Sequence, residues 1–166
     1  NMTVDTQLDA KRLEELEKKY DTSLNLRHHG PVLGPILYWG SIAFAAYHVW
    51  TAGFGTPVDH VHMGLHLAGL FVLVVTGFPL IRTAASLAYG PPSALRPGNV
   101  PLFDWALVVL GVAASLFLWV SWRGFAPLDI PAQTLRQGNP TGIDVFFGTV
   151  LIIGVLEMAR RAIGFI

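Results

Sequence analysis

Three histidines and one arginine-rich cluster are the residues of this chain whose types and spacing could do chemistry. His62 and His66 stand one helical turn apart, and His48 falls so that a preceding antiparallel helix would bring it to the same depth. Two imidazoles on facing helices at one depth are what a bis-histidine haem requires. That makes His48, His62 and His66 the cofactor-binding candidates. The sequence favours a plainer role, in which interface histidines hydrogen-bond neighbouring helices or water. Farther on, Glu157, Arg160 and Arg161 are spaced i, i+3 and i+4, so one carboxylate reaches either guanidinium on the same helical face. One arginine is then left over, which points to a phospholipid headgroup or an acidic group on a partner, with simple anchoring at the membrane surface as the other reading. Asp104 and Asp144 read as helix-start residues rather than proton carriers, because carboxylates favour helix N-termini.

Other chemistries are excluded by what is missing. The chain has no cysteine, so disulfides, iron–sulfur clusters and thiolate metal sites are out. Eleven basic and eleven acidic residues cancel, and no basic stripe is interleaved with aromatics, so nucleic-acid binding is set aside. No Ser/His/Asp set, phosphate-binding glycine loop or His-Glu-x-x-His pattern is present. The expectation is a non-enzymatic protein with no catalytic residue, no resident cofactor and no metal.

The elements that position these residues are set by hydropathy. Apolar residues make up 52% of the chain and charged residues 13%, and apart from the helix-start acids Asp104 and Asp144 the charges are missing from four long apolar stretches at 32–54, 62–81, 102–122 and 143–156. A hydrocarbon core of about 30 Å needs roughly 20 helical residues. The first three stretches meet that length. The fourth must continue through Glu157, Arg160 and Arg161 to reach the far interface. The fold expected is therefore an all-α membrane protein of four transmembrane helices, residues 30–166, preceded by an amphipathic cytoplasmic helix within residues 1–29. In that N-terminal segment Thr6 and Asp9 resemble a capping box, Leu13, Leu16 and Tyr20 share a face, and Glu14–Lys18 and Glu15–Lys19 are favourable i,i+4 pairs.

Local signals refine the spans. Tyr38, Trp39, Tyr47 and Trp50 near the ends of the first suit the membrane interface. Asp59 is expected to cap the second span, Gly77 and Pro79 to kink it, and Thr141 with Asp144 to start the fourth. Small residues four apart, Ser41 and Ala45, Gly64 and Ala68, Gly111 and Ser115, are expected to mark packing faces. The N-terminal thirty residues hold no apolar signal-peptide core, so the first span is expected to direct insertion. Nine of the eleven basic residues fall in the N-terminal segment, the second connection and the C-terminal end, which places both termini in the cytoplasm.

The strings Tyr47-His-Val-Trp-Thr-Ala-Gly-Phe-Gly55, His66-Leu-Ala, Phe103-Asp-Trp105 and Leu156-Glu-Met-Ala-Arg-Arg-Ala-Ile-Gly164 together resemble the small-permease (Q-type) region of TAXI-type TRAP (tripartite ATP-independent periplasmic) transporters. The resemblance covers about residues 30 to 166. It implies a four-helix scaffold for a large elevator-type TRAP permease in the bacterial inner membrane, with a periplasmic substrate-binding protein delivering an organic anion and a sodium gradient driving uptake. In that family the substrate and sodium sites lie in the large permease, so none is carried onto this chain. The alternative from another class is an accessory four-helix subunit of an electron-transfer or photosynthetic complex, with haem on His48 and His66 or His62.

Overall fold

In the computed structural model the described residues are 12–13, 26–81, 95–124 and 126–163. They form four α-helices and, among the described residues, no sheet: α1 Leu33–Phe54, α2 Asp59–Gly77, α3 Leu102–Trp122 and α4 Gly142–Ile163. Arg12 and Leu13 are helical, but the rest of the expected amphipathic helix lies outside the described residues, as does most of the connection between α2 and α3.

Helices α2, α3 and α4, at 19, 21 and 22 residues, are long and apolar enough to cross a membrane, so the chain has the character of a multi-pass membrane protein. Helix α1 has the length, 22 residues, but is not among these three. Its apolar run is diluted by Gly34, Gly40, Ser41, Tyr38, Tyr47, His48 and Thr51. The expected fourth helix does run on through Glu157, Arg160 and Arg161 to Ile163.

Two boundary expectations need correction. Helix α2 does not kink at Gly77 and Pro79; it ends at Gly77, and Phe78 turns to an extended conformation (φ −108°, ψ 122°). Proline clashes with a helical residue before it, so Pro79 stops the helix instead of bending it. Asp59 is not the N-cap, which is Val58, but a first-turn acid, where it still complements the helix dipole. The start of α4 is as expected. The Thr141 backbone N–H donates to Asp144 Oδ2 at 2.8 Å, and the Asp144 N–H points back to Thr141 Oγ1 at 3.4 Å, the reciprocal pattern of a capping box.

The bundle core lies between α2, α3 and α4, where Phe71, Val75, Val108 and Met158 are buried and Trp105, Val112 and Leu151 pack around them. Phe71 is the wedge. A Cβ added to Gly111 of α3 or Gly154 of α4 would overlap its ring, so the two glycines form the slot the ring occupies. A Cβ at Gly64 would sit 2.9 Å from the Ser115 carbonyl oxygen, so α2 and α3 approach backbone to backbone where small residues were expected to form a seam. Helix α1 is peripheral. It buries only Thr51 and docks on α2 through Phe44, which sits where a Gly69 side chain would be, and through the histidines.

Candidate functional site

The helix directions put the start of α1, the end of α2, the start of α3 and the end of α4 at one end of the bundle, and there the charges gather. Asp104, in the first turn of α3 and 1% exposed, is the centre. Arg27 Nη2 donates to its Oδ2 at 2.7 Å, and Arg161 Nη1 stands 2.9 Å from its Oδ1. Arg161, also 1% exposed, donates from Nε to Glu157 Oε1 at 2.7 Å, and Arg160 binds both oxygens of Glu157, at 2.7 and 2.8 Å. Five ionised side chains from the N-terminal segment, α3 and α4 thus form one chain of contacts.

The network also captures α2. The C-terminal carbonyls of a helix lack intrahelical donors, and here arginines serve them and the residues just beyond. Arg160 Nη2 donates to the Leu80 carbonyl at 3.1 Å, Arg161 Nη1 to that of Phe78 at 3.2 Å, and the Arg27 backbone N–H to that of Gly77 at 2.8 Å. Arg27 is held in register by its neighbours. Asn99, in a left-handed turn at φ 69°, donates from Nδ2 to the His28 carbonyl at 2.8 Å, and asparagine tolerates that conformation better than most residues. Next to it, burial first and the Arg27 charge second push the His29 imidazole below its ordinary pKa, against the opposing effect of a hydrogen bond with the Gly98 backbone.

Glu157, Arg160 and Arg161 are therefore brought together, but their roles divide. Arg161 is enclosed and shared between Glu157 and Asp104, whereas the Arg160 side chain is 38% exposed and is the member of the three that can reach a headgroup or a partner. Sequence reasoning missed Arg27 and Asp104 as members of this site. Arg27 counted only as a topogenic charge and Asp104 only as a helix-start acid. The available signal was the placement of one acid in α3 at the same bundle end as the arginines of α4.

At the opposite end, Arg136 bonds the Asp144 carboxylate and reaches the Ser121 carbonyl at 3.4 Å, tying the α3–α4 connection to both helices. His60 stacks on Trp122 with ring centroids 4.5 Å apart.

The three histidine candidates do meet, between α1 and α2. The Phe44 carbonyl can only accept, so His48 donates to it from Nδ1 at 2.8 Å; His48 Nε2 then accepts from His66 Nδ1 at 2.7 Å. His62 Nδ1 shares a 2.9 Å hydrogen bond with the Tyr47 hydroxyl. A bis-histidine iron needs its two nitrogens roughly 4 Å apart, twice a metal–nitrogen bond of about 2 Å. His48 and His66 are in direct contact, so this geometry has no gap for iron and porphyrin between them. Among the described residues, no group of three or more histidine, aspartate or glutamate side chains is arranged to hold a metal ion.

Comparison with protein-family models, with curated proteins and with solved structures returned no match.

Proposed function

We propose that this chain is the small membrane subunit of a TAXI-type TRAP transporter, a non-catalytic four-span scaffold that seats a large permease in the bacterial inner membrane with both termini cytoplasmic. The observation that carries the reading is where the charges lie. No Asp, Glu, Lys or Arg occupies the middle of any of the four helices, and the ionised groups of α3 and α4 are engaged in pairs at the two bundle ends. Between those ends the core is filled by Phe71, Val75, Val108 and Met158. Transporters ordinarily conduct through polar or ionisable groups set within the membrane. What this bundle offers instead is apolar outer surface, with Ile36, Trp39, Val49 and Trp50 exposed on α1 and Ile152, Ile153 and Leu156 on α4. Such faces suit lipid or another set of helices, and the resemblance to TRAP small permeases supplies the partner: the large permease, working with a periplasmic substrate-binding protein on an organic anion.

The test is affinity purification of the tagged chain from its native membrane. A large hydrophobic permease should copurify, and the isolated chain in liposomes should take up no solute under a sodium gradient. Uptake by the chain alone, or a Soret band with no permease, would overturn the proposal, the latter in favour of an electron-transfer subunit.

A further inference from the structure

Helix α1 is held near both of its ends. At its start, the Arg27 backbone N–H bonds the Gly77 carbonyl at the end of α2 and the His28 carbonyl accepts from Asn99, so the segment leading into α1 is fixed to the bundle. Toward its other end the polar contacts with α2 are Tyr47–His62 and His48–His66, at 2.9 and 2.7 Å. These two contacts answer protonation differently. A hydroxyl oxygen accepts as well as donates, so a protonated His62 donates to Tyr47 from Nδ1 and the contact survives. The His48–His66 pair has no such freedom. His48 Nδ1–H is committed to the Phe44 carbonyl, which can only accept, so the imidazoles meet through His48 Nε2 and His66 Nδ1 with one hydrogen between them. A first added proton is tolerated at His66 Nε2, because His66 goes on donating from Nδ1. With both rings protonated, both facing nitrogens carry hydrogen and both rings carry charge, and a 2.7 Å contact cannot hold them.

Among the described residues, no carboxylate pairs with these imidazoles. On α1 the neighbours of the pair are Phe44 and Tyr47. On α2, His62, with its ring centroid 5.7 Å from that of His48, adds to the positive charge once protonated, and Asp59 is exposed and two turns before His66, about 10 Å along the helix. His60 is turned to α3, stacked on Trp122. Helix α3 meets this part of α2 with Ser115 and Trp119, and Arg123 just beyond it is exposed. The acids of α4 are Asp144, bonded to Arg136, and Glu157 at the far end. All three histidines of the cluster are partly exposed, so protons reach them. We infer that the His48–His66 contact is a pH-operated latch, which holds α1 against α2 while the pair carries at most one added proton and opens when the second binds. The shift turns about the fixed start of α1, and the short loop of Gly55 to Val58 keeps it to a partial separation. It widens the groove between the two helices lined by Leu37, Phe44, Gly69, Val72 and Leu73. The latch does not rest on the transporter reading, only on how α1 docks on α2.

The chain has no cysteine, so spin labels on Val49→Cys and Met63→Cys, at exposed positions of α1 and α2, report the distance between the helices in the full chain in detergent. Double electron–electron resonance should show one short distance at pH 8 and a second, longer one that grows toward pH 5. With an ordinary imidazole value of about 6.5, and one more proton bound by the open state than by the latched one, the ratio of open to latched molecules should rise about twentyfold over that range. His66→Gln should abolish the response with helicity unchanged, because the amide donates to neutral His48 and accepts from protonated His48. His62→Gln, and His29→Gln at the opposite end, should respond as the parent does. A distance that stays the same from pH 8 to pH 5 in the parent, a response that persists in His66→Gln, or one that disappears in His62→Gln would overturn the latch. So would a loss of helicity that accompanies the longer distance, which would make the change an unfolding.

Discussion

Replacing Asp104 by asparagine should destabilise this bundle more than any other loss of a single charge. In the wild type, Asp104 neutralises two guanidiniums that are themselves buried, with side chains 2% and 0% exposed. The neutral amide would leave Arg27 with no carboxylate partner, while Arg161 would keep Glu157. Removing one member of a buried pair typically costs about 3–5 kcal/mol, because the remaining charge is uncompensated and cannot reach water. Glu157→Gln provides the contrast. Its side chain is 21% exposed, Arg160 can extend to the surface, and Arg161 retains Asp104, so the cost should be nearer about 1 kcal/mol. At about 2–4 °C per kcal/mol for a chain of this size, the two variants should differ in melting temperature by on the order of 10 °C. Thermal unfolding of both in the same detergent, followed by helicity, gives the comparison. Adding Arg27→Gln to Asp104→Asn should recover part of the loss, because the stranded charge is then gone. If Asp104→Asn melts within a few degrees of Glu157→Gln, Asp104 is not the group on which the cluster depends.

Gly111→Ala would push a methyl group into the Phe71 ring, and the overpacking should cost about 1–3 kcal/mol; Gly148→Ala, where an added Cβ meets nothing, is the control, and equal melting temperatures would show that the slot is not tight. The lowered pKa of His29 means that the folded state resists protonation there. Its contribution to stability is therefore present above the ordinary histidine value of about 6.5 and falls away as pH drops through the folded-state pKa, so the wild type should lose stability from pH 8 to pH 5 more steeply than His29→Gln; parallel slopes would refute this. Single cysteines at Thr56 and Gln137 should react with an impermeant reagent from outside intact cells while one at Leu95 should not, as expected if α1 spans along with the other three helices. Labelling of the Leu95 site from outside would exclude that topology.

Local rules were legible in the sequence wherever a short pattern decides the structure. The extent of α3, the Thr141–Asp144 start and the passage of α4 through its charged end all follow from hydropathy and capping chemistry within a few residues. The end of α2 was misjudged because Gly77 and Pro79 permit either a kink or a stop, and the choice depends on whether tertiary partners donate to the freed carbonyls. Arg27, Arg160 and Arg161 do so, and they come from 50 or more residues away in sequence. The histidines were found because their spacing fixes their depth, but spacing cannot say whether two imidazoles will face each other across an iron or touch directly. A contact of 2.7 Å is a property of how closely α1 approaches α2, which Phe44 settles by entering the space above Gly69.

The two ends of the bundle differ in how they hold their helices, and that difference bears on function. At the Arg136 end, one ion pair and a capping box close a local connection between α3 and α4. At the Arg27 end, the contacts join the residues before α1 to α2, α3 and α4 through buried charges that hydrophobic side chains of the same volume could replace without loss of stability. Buried ion pairs are weak evidence for stability, but directional contacts to three separate helix ends specify one arrangement of those ends. A scaffold needs that property: its outer faces must hold a fixed spacing for a partner, even though they are apolar and individually undemanding.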